Sequence, residues 1–589
     1  FVTATSSAII DVLSAAASVS VGGGSSTGVA LSGGGADSGN VILTSTLAYV
    51  KGCDLVSSGD VTLGAANTST ITATVAAVAV AAGGGGTTGV GASIGAALAA
   101  NRIGWDTDGN RVPAKVQAYL ENSDVDAAGI LSLSASADET IDALILAGSV
   151  AISAAGTTGV GLSGAGADAE NKIATAVKAY IDGDGTSVIT AAQIVLDAED
   201  TSEITADVVG ASLAGSVAGE TAVSLSIGVS LAENIIGNEV AAYIIDSEQV
   251  TARTGNVSLT AAENATIHVN AIAASLSVAF AANVSVALSG AGADGTNRIA
   301  NVVQAYIADS TVETLEDGDI IVDASNTSAI DSLVGGVAGA ISGGTVAAAG
   351  AIGVSLAQNL IGVTADDDGS EYLNQVLVYA EDATLISDGD IQIQARSTET
   401  IAADSFAGSV AIAAGVGGAA AGSGAEATNI ISSKVHAYMQ DASGQAAGNM
   451  DVKAISNSEI TKASAIGASL AMSLGAASVA VSLVDNQIRN DVQAYVDSSS
   501  ATSVEAGGAI TITADAEKAY MTDVMAVTAS VSGGAVGLSG GGIDVNNSIA
   551  NIIAAHAGGL TTLTADGDVN ITAGENAYLA ADVTSVSVS

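Results

Sequence analysis

Proline occurs once in 589 residues, as Pro113, and cysteine once, as Cys53. A lone cysteine gives no disulfide framework, so packing alone must hold the fold. The near-absence of proline suits long hydrogen-bonded ladders, where each missing N–H costs a bond. Aromatic residues make up only 3% of the chain, and Trp105 is the sole tryptophan. That scarcity argues against a membrane β-barrel, which needs aromatic girdles. Basic residues number 14 against 61 Asp and Glu, a formal charge of -47. This balance excludes ordinary nucleic-acid binding, which rests on Lys and Arg at phosphates, and disfavours anionic lipid. It favours solubility and loose attraction of cations. Uncharged spans such as Ile71 to Asn101 exist, but that one carries GGGGTTG in its middle and is rich in β-branched residues. No transmembrane segment is therefore expected.

What the chain has is 71 glycines and 49% apolar residues, mostly Ala, Val, Ile and Leu. Such a chain is too hydrophobic to be disordered. It also repeats itself. GLSGAGADAENKIATAVKAYI, from Gly161, returns at Ala287 as ALSGAGADGTNRIANVVQAYI, with the relative SIGVSLAENIIGNEVAAYI between them from Ser226. Units begin near Ile10, Ile71, Ile141, Ile204, Ile267, Ile330, Ile401, Ile460 and Met521, with a tenth near Leu579. The chain is thus a single repeat array of about nine units of roughly 63 residues, not a set of domains.

Each unit opens on I-x-A-D and a long strand of small apolar residues, such as ADVVGASLAGSVA at 206–218. A Gly- or Thr-rich turn, a second apolar strand ending in Asn, the short strand V-x-A-Y-I and a polar turn follow. The unit closes on segments such as GNVSLTA at 255–261. These are strand and turn signals. The long strands alternate little, which predicts cover on both faces, and their small side chains allow close sheet approach. The second half of the unit carries most of the acid, so each unit has a dry and a wet half that stacking must complete. The expected fold is all-β, an elongated repeat architecture of the β-solenoid or stacked-sheet kind.

Two landmarks recur. An Asn stands at Asn40, Asn101, Asn171, Asn234, Asn297, Asn359, Asn429, Asn486 and Asn547. A Tyr follows at Tyr49, Tyr119, Tyr180, Tyr243, Tyr306, Tyr379, Tyr438 and Tyr495, with His556 in the ninth unit. They predict an amide ladder and an aromatic ladder. The alternative for the Tyr row is a sugar-binding platform. Three residues before the Asn, odd units carry Asp37, Asp168, Asp294, Glu426 and Asp544, and even units Leu98, Leu231, Leu356 and Leu483. The true period is therefore two units. Stacking by translation would separate like charges by Leu rungs. A two-fold relation between neighbours would instead place the two residue types in different surroundings. The second is favoured, because Leu and Asp prefer opposite environments.

Insertions interrupt units two and six, as IGWDTDGNRVPAK at 103–115 and IGVTADDDGSEYLN at 361–374. Asp106, Asp108 and Asn110 form D-x-D-G-N, part of a Ca²⁺ loop without its distal Glu. Asp366, Asp367 and Asp368, with Glu371 nearby, form a second acidic cluster. Ca²⁺ is the metal these loops, or the alternating carboxylates, would bind; a solvated turn is the competing reading. No catalysis is expected. His268, His436 and His556 lie in different units, and no G-x-S-x-G elbow joins a strand to a helix.

Units of the form V-x-A-Y-I-D-x-S-x-V-x-A-x-G-D-V-x-L-x-A resemble those of giant bacterial β-strand-repeat surface proteins, the filamentous-haemagglutinin-like adhesins among them. The resemblance implies secretion, a β-solenoid and a place on the cell surface, and it carries no catalytic residue. Haemagglutinin-type coils are much shorter, so whether one unit makes one coil or three stays open. Phe1 to Ala8 resemble the end of a unit and Leu579 to Ser589 the start of one. The expected function is a structural component of an extracellular bacterial filament or surface fibre. Its partners would be other copies of itself, head to tail or laterally. The alternative is an adhesin that binds glycans through its insertion loops.

Overall fold

The computed structural model describes residues 1–362 and 374–589. Each repeat forms one wide coil with three faces. In the fifth coil, Val257–Ala281 lies in face 1 and Val284–Ile299 in face 2. Val302–Ala308 and Thr311–Thr314 lie in face 3, and the chain then rises to Ile320 in the next coil. Coils 1 to 9 are numbered from face-1 strands beginning at Val2, Val61, Ile130, Gln193, Val257, Ile320, Ile391, Met450 and Ile510, and a tenth strand, Val569–Val588, follows. The three sheets have 10, 9 and 16 strands. At about 3.3 Å per residue a 25-residue face-1 strand is about 80 Å long, while successive coils advance only about 4.8 Å.

Pairing is parallel, and each residue meets its own counterpart one coil on. Ile204 pairs with Ile267, Asn234 with Asn297 and Tyr243 with Tyr306. The open question of one coil or three is thus answered by one. The segments read separately as G-N-V-x-L-x-A and I-x-A-D are a single strand. Nothing between them, such as Ala262 to Thr266, supplies the Gly or Pro that would break it.

Face 1 packs its first half on face 3 and its second half on face 2. Leu259 and Ala261 share a core with Val303, Ala305 and Ile307. Ala271 and Ala273 share another with Ala291 and Ala293. Between the two lies a double row of isoleucines, Ile267 against Ile299 and its equivalents. From Ile71 to Ile488 each is fully buried, worth about 1.5–3 kcal/mol of transfer free energy. The Ala-rich half gains less from area and relies on close approach. A Cβ on Gly228 would lie 2.4 Å from the Ala274 carbonyl oxygen, and one on Gly353 2.3 Å from that of Gly408. Glycine is obligatory where these backbones nearly touch.

Corners follow the same local logic. The third residue after the Tyr has positive φ in most coils, and it is Asn122, Asp246, Asp309, Asp382 or Asp441, or else Gly52 or Gly559. These are the residue types that tolerate the left-handed region.

Two expectations are corrected. The long strands are not covered on both sides within the chain. In Val61–Gly85 buried and partly exposed residues alternate throughout, so one side faces the core and the other faces outward. Nor do neighbouring units relate by a two-fold axis. Asp168 pairs with Leu98 below and Leu231 above, in register on the outer side of face 2. Translation alone places both types in one environment, and the Leu rungs hold successive carboxylates about 10 Å apart instead of about 4.8 Å. The alternation also extends to the two preceding outward positions. Odd coils have Gly at both, as in Gly164 and Gly166; even coils have a β-branched residue, then Ala or Val, as in Ile227 and Val229.

The amide ladder is continuous over all nine coils. Each Asn Nδ2 donates to the Oδ1 of the next at 2.7–2.9 Å, from Asn40 to Asn547. Replacing Asn297 by Ala leaves Asn234 Nδ2 and Asn359 Oδ1 buried without these partners. We expect Asn297→Ala to lower unfolding free energy by about 2–4 kcal/mol, read as a shift in urea midpoint against an exposed Ser→Ala control.

Candidate functional site

Beside the isoleucine rows, face 1 turns a second set of polar residues inward. In coils 3, 4 and 5 these include Glu139, Asp200 and Glu263, which are 0%, 0% and 3% exposed. Parallel register brings them together along the stack: Asp200 pairs directly with Glu263, and Glu139 with Ser202 beside Asp200. The donors that reach them are neutral. Asn67 Nδ2 donates to Glu139 Oε1 at 2.6 Å, Ser202 Oγ to Asp200 Oδ2 at 2.9 Å, and Asn301 Nδ2 to Glu263 Oε1 at 3.0 Å. Asn238 Nδ2 lies between Asp200 Oδ2 and Glu263 Oε1 and donates to both. Glu139 Oε2 and Glu263 Oε2 are left without such donors.

Three adjacent carboxyls sealed from water cannot all ionise. Burial, reinforced by the charge of Asp200, holds Glu139 and Glu263 well above the usual carboxylate range. Burial raises Asp200 as well, and hydrogen bonding offsets only part of that rise. The three carboxyls therefore hold protons that exposed acids would release, Glu139 and Glu263 most strongly. A fourth buried acid, Glu399, is raised by burial and accepts from Ser397 and Ser458. The sequence singled out none of these. The signal was present: Glu139 and Glu399 stand two residues before the buried Ile, and Asp200 and Glu263 four before it. Even spacing puts them on the same inner side of the strand.

The outer side of face 3 carries the aromatic ladder. Rings from Tyr49 to His556 stack at 4.7–5.0 Å with interplanar angles of 2–10°. Every ring between the two ends has both faces against its neighbours, so only ring edges remain for a sugar. Burial within the stack raises the phenols from Tyr119 to Tyr495, Tyr379 to about 12.

The insertion of coil 2 spans the corner between faces 2 and 3 and runs along the stack. Arg102 donates from Nε and Nη2 to Glu170 of coil 3 at 3.0 Å each. Lys172 Nζ sits 5.6 Å from the Trp105 ring centroid, and Arg111 Nη2 reaches the Gly237 carbonyl of coil 4 at 2.6 Å. Asp106 is occupied within the loop. Its Oδ1 accepts the Asp108 and Asn110 backbone N–H groups at 2.9 and 2.8 Å, and its Oδ2 the Asn110 side-chain amide at 2.9 Å. These bonds, the Asn110 side chain first, hold its carboxyl below the usual range. Among the described residues no three His, Cys, Asp or Glu side chains converge as metal ligands. Asp366, Asp367 and Asp368 lie outside the described residues.

Among the described residues no helix is long and apolar enough to cross a membrane. Comparison with protein-family models, curated proteins and solved structures finds no match. The functional reading therefore rests on geometry.

Two predictions follow from these sites. An acid whose folded pKa is raised stabilises the fold fully below its unfolded pKa, and that stability is lost as pH climbs through the folded value. The melting temperature should thus fall as pH rises above about 4, and Glu139→Gln/Glu263→Gln, which keeps neutral groups beside Asp200, should flatten that slope relative to wild type. Asp106→Ala should lower the melting temperature through lost turn bonds. The loss should be equal in Ca²⁺ and in chelator, by thermal melts; a loss confined to Ca²⁺ would make the loop a metal site.

Proposed function

We propose that the chain is a structural segment of an extracellular bacterial surface fibre, of the same general kind as the β-strand-repeat surface proteins its units resemble. The observation that supports this is the unbroken in-register ladder. Coils 5 and 6, for example, set 24 residues of face 1 and 16 of face 2 in register. Tension along the stack is shared by all the bonds between two coils at once, so no single bond yields first. The Asn and Tyr ladders run the same way and add side-chain continuity to it. Buried acids and ion pairs between coils, such as Lys178–Glu239, tie neighbours further.

The outermost strands of each sheet pair on one side only. Further coils extend the same ladders, whether they belong to the same polypeptide or to another copy. The acidic charge lies mainly on the half containing face 3, where it keeps fibres dispersed.

Electron micrographs of the purified chain should show filaments with strands across the long axis, giving a 4.7–4.8 Å repeat along it. Compact single particles that bind a glycan array, with binding lost on deleting residues 104–113, would replace the fibre by the adhesin.

A further inference from the structure

The outer side of face 2 is corrugated with a two-coil period. Even coils raise ridges: Ile94, Ile227, Ile352 and Val479 are 66%, 46%, 60% and 51% exposed. Odd coils between them carry Gly at the same position. A Cβ on Gly290 or Gly422 would meet nothing within 4 Å, and one on Gly164 only the Ile94 side chain at 4.0 Å. None of these glycines has positive φ. Glycine weakens a strand, so five odd coils keep a destabilising residue where a larger one fits. On the inner side the alternation is reversed: Gly228 and Gly353 of even coils are forced by backbone contact, and Ala165 and Ala291 take their place in odd coils. An open apolar groove of about 550 Å³ lies on this side, lined by Leu225, Ile227, Leu288, Gly290, Ile352 and Val479 among others.

We propose that this surface mates with the same surface of a second copy, displaced by one coil so that each copy's ridges enter the other's glycine grooves. Ridge and groove spacing are equal by construction, both two coils, so the relief is complementary to itself. The size suffices. The apolar outward positions span about nine residues along the strand and nine coils, roughly 1,200 Å² per copy, against about 800 Å² per partner in a standard stable interface. Charge sets the orientation. The net charge of -47 lies mainly toward face 3, so a half-turn about the stacking axis sends the two acidic halves to opposite ends. Strands then run antiparallel across the interface, and Asp168 and its equivalents fall near the polar rim marked by Glu170 and Glu233. This pairing is lateral and does not depend on end-to-end growth.

The test uses the full chain by sedimentation equilibrium and electron microscopy. Wild type should sediment as pairs or as double-width filaments. Gly164→Val/Gly290→Val/Gly422→Val fills three grooves with a good strand former. It should weaken self-association about tenfold or more while its melting temperature, measured where the chain is single, stays equal or rises. Ile227→Ser/Ile352→Ser, which lowers two ridges, should weaken pairing in the same direction. A wild type of single mass and single width, or a groove-filled variant that pairs as well as wild type, overturns the proposal. Single-width filaments in both proteins would sink the pairing but leave the fibre standing; pairs without filaments would do the reverse.

Discussion

Everything in this molecule answers to one constraint: each residue stacks on its own counterpart about 4.8 Å away, coil after coil. A side chain is acceptable here only if it tolerates copies of itself above and below. Asn does, because its amide donates upward and accepts from beneath, and the ladder holds 2.7–2.9 Å across nine coils. Tyr does, because rings stack. Ile does, because an apolar row buries itself. Carboxylates do not. The chain handles them in three ways: it alternates them with Leu on face 2, it pairs them with Lys or Arg of the next coil, and it withholds protons from solution where they are buried.

That third arrangement is the least expected. A run of like residues inside a low-dielectric stack would be prohibitive as ions. Glu139, Asp200 and Glu263 are instead all held above the usual carboxylate range, within a lining of Asn and Ser that donates to them. The same stacking that forbids three charges brings neutral donors of neighbouring coils to the acids. Coil 7 meets the same problem with one acid, Glu399, and two serines.

Much of this was legible in the residues. The repeat, the all-β class and both ladders follow from spacing alone, because in-register stacking turns a sequence period directly into a spatial row. What spacing does not carry is the sign of the relation between units. Asp168 opposite Leu231 reads equally as translation or as a two-fold, and residue preference pointed to the wrong one. Leu231 is 40% exposed, an apolar residue on an outer surface, and its exposure is why the argument from preferred surroundings failed. Strand continuity was also hidden. Ala262 to Thr266 is polar enough to read as a turn, yet Glu263 and Ala265 point inward, where Asn238 and Asn301 satisfy the acid. A buried polar row on an even spacing from Ile267 was visible in principle, and it was overlooked because charge was equated with the wet half.

The two-unit period reaches both sides of face 2. Many inner positions obey a one-coil period, Ile on Ile and Asn on Asn, but where the sheets approach most closely even coils place Gly210, Gly228, Gly336 and Gly353 against Ala147, Ala165, Ala273 and Ala291 of odd coils. Charge separation accounts for a doubled period at Asp168 and its equivalents. It does not account for Gly164 against Ile227, or Gly166 against Val229, since none of these is charged. The outer glycines face open space, so no clash on that side demands them. The alternation thus pairs close inner approach in even coils with a bare outer strand in odd coils, and its outer part leaves a relief that a second surface can read.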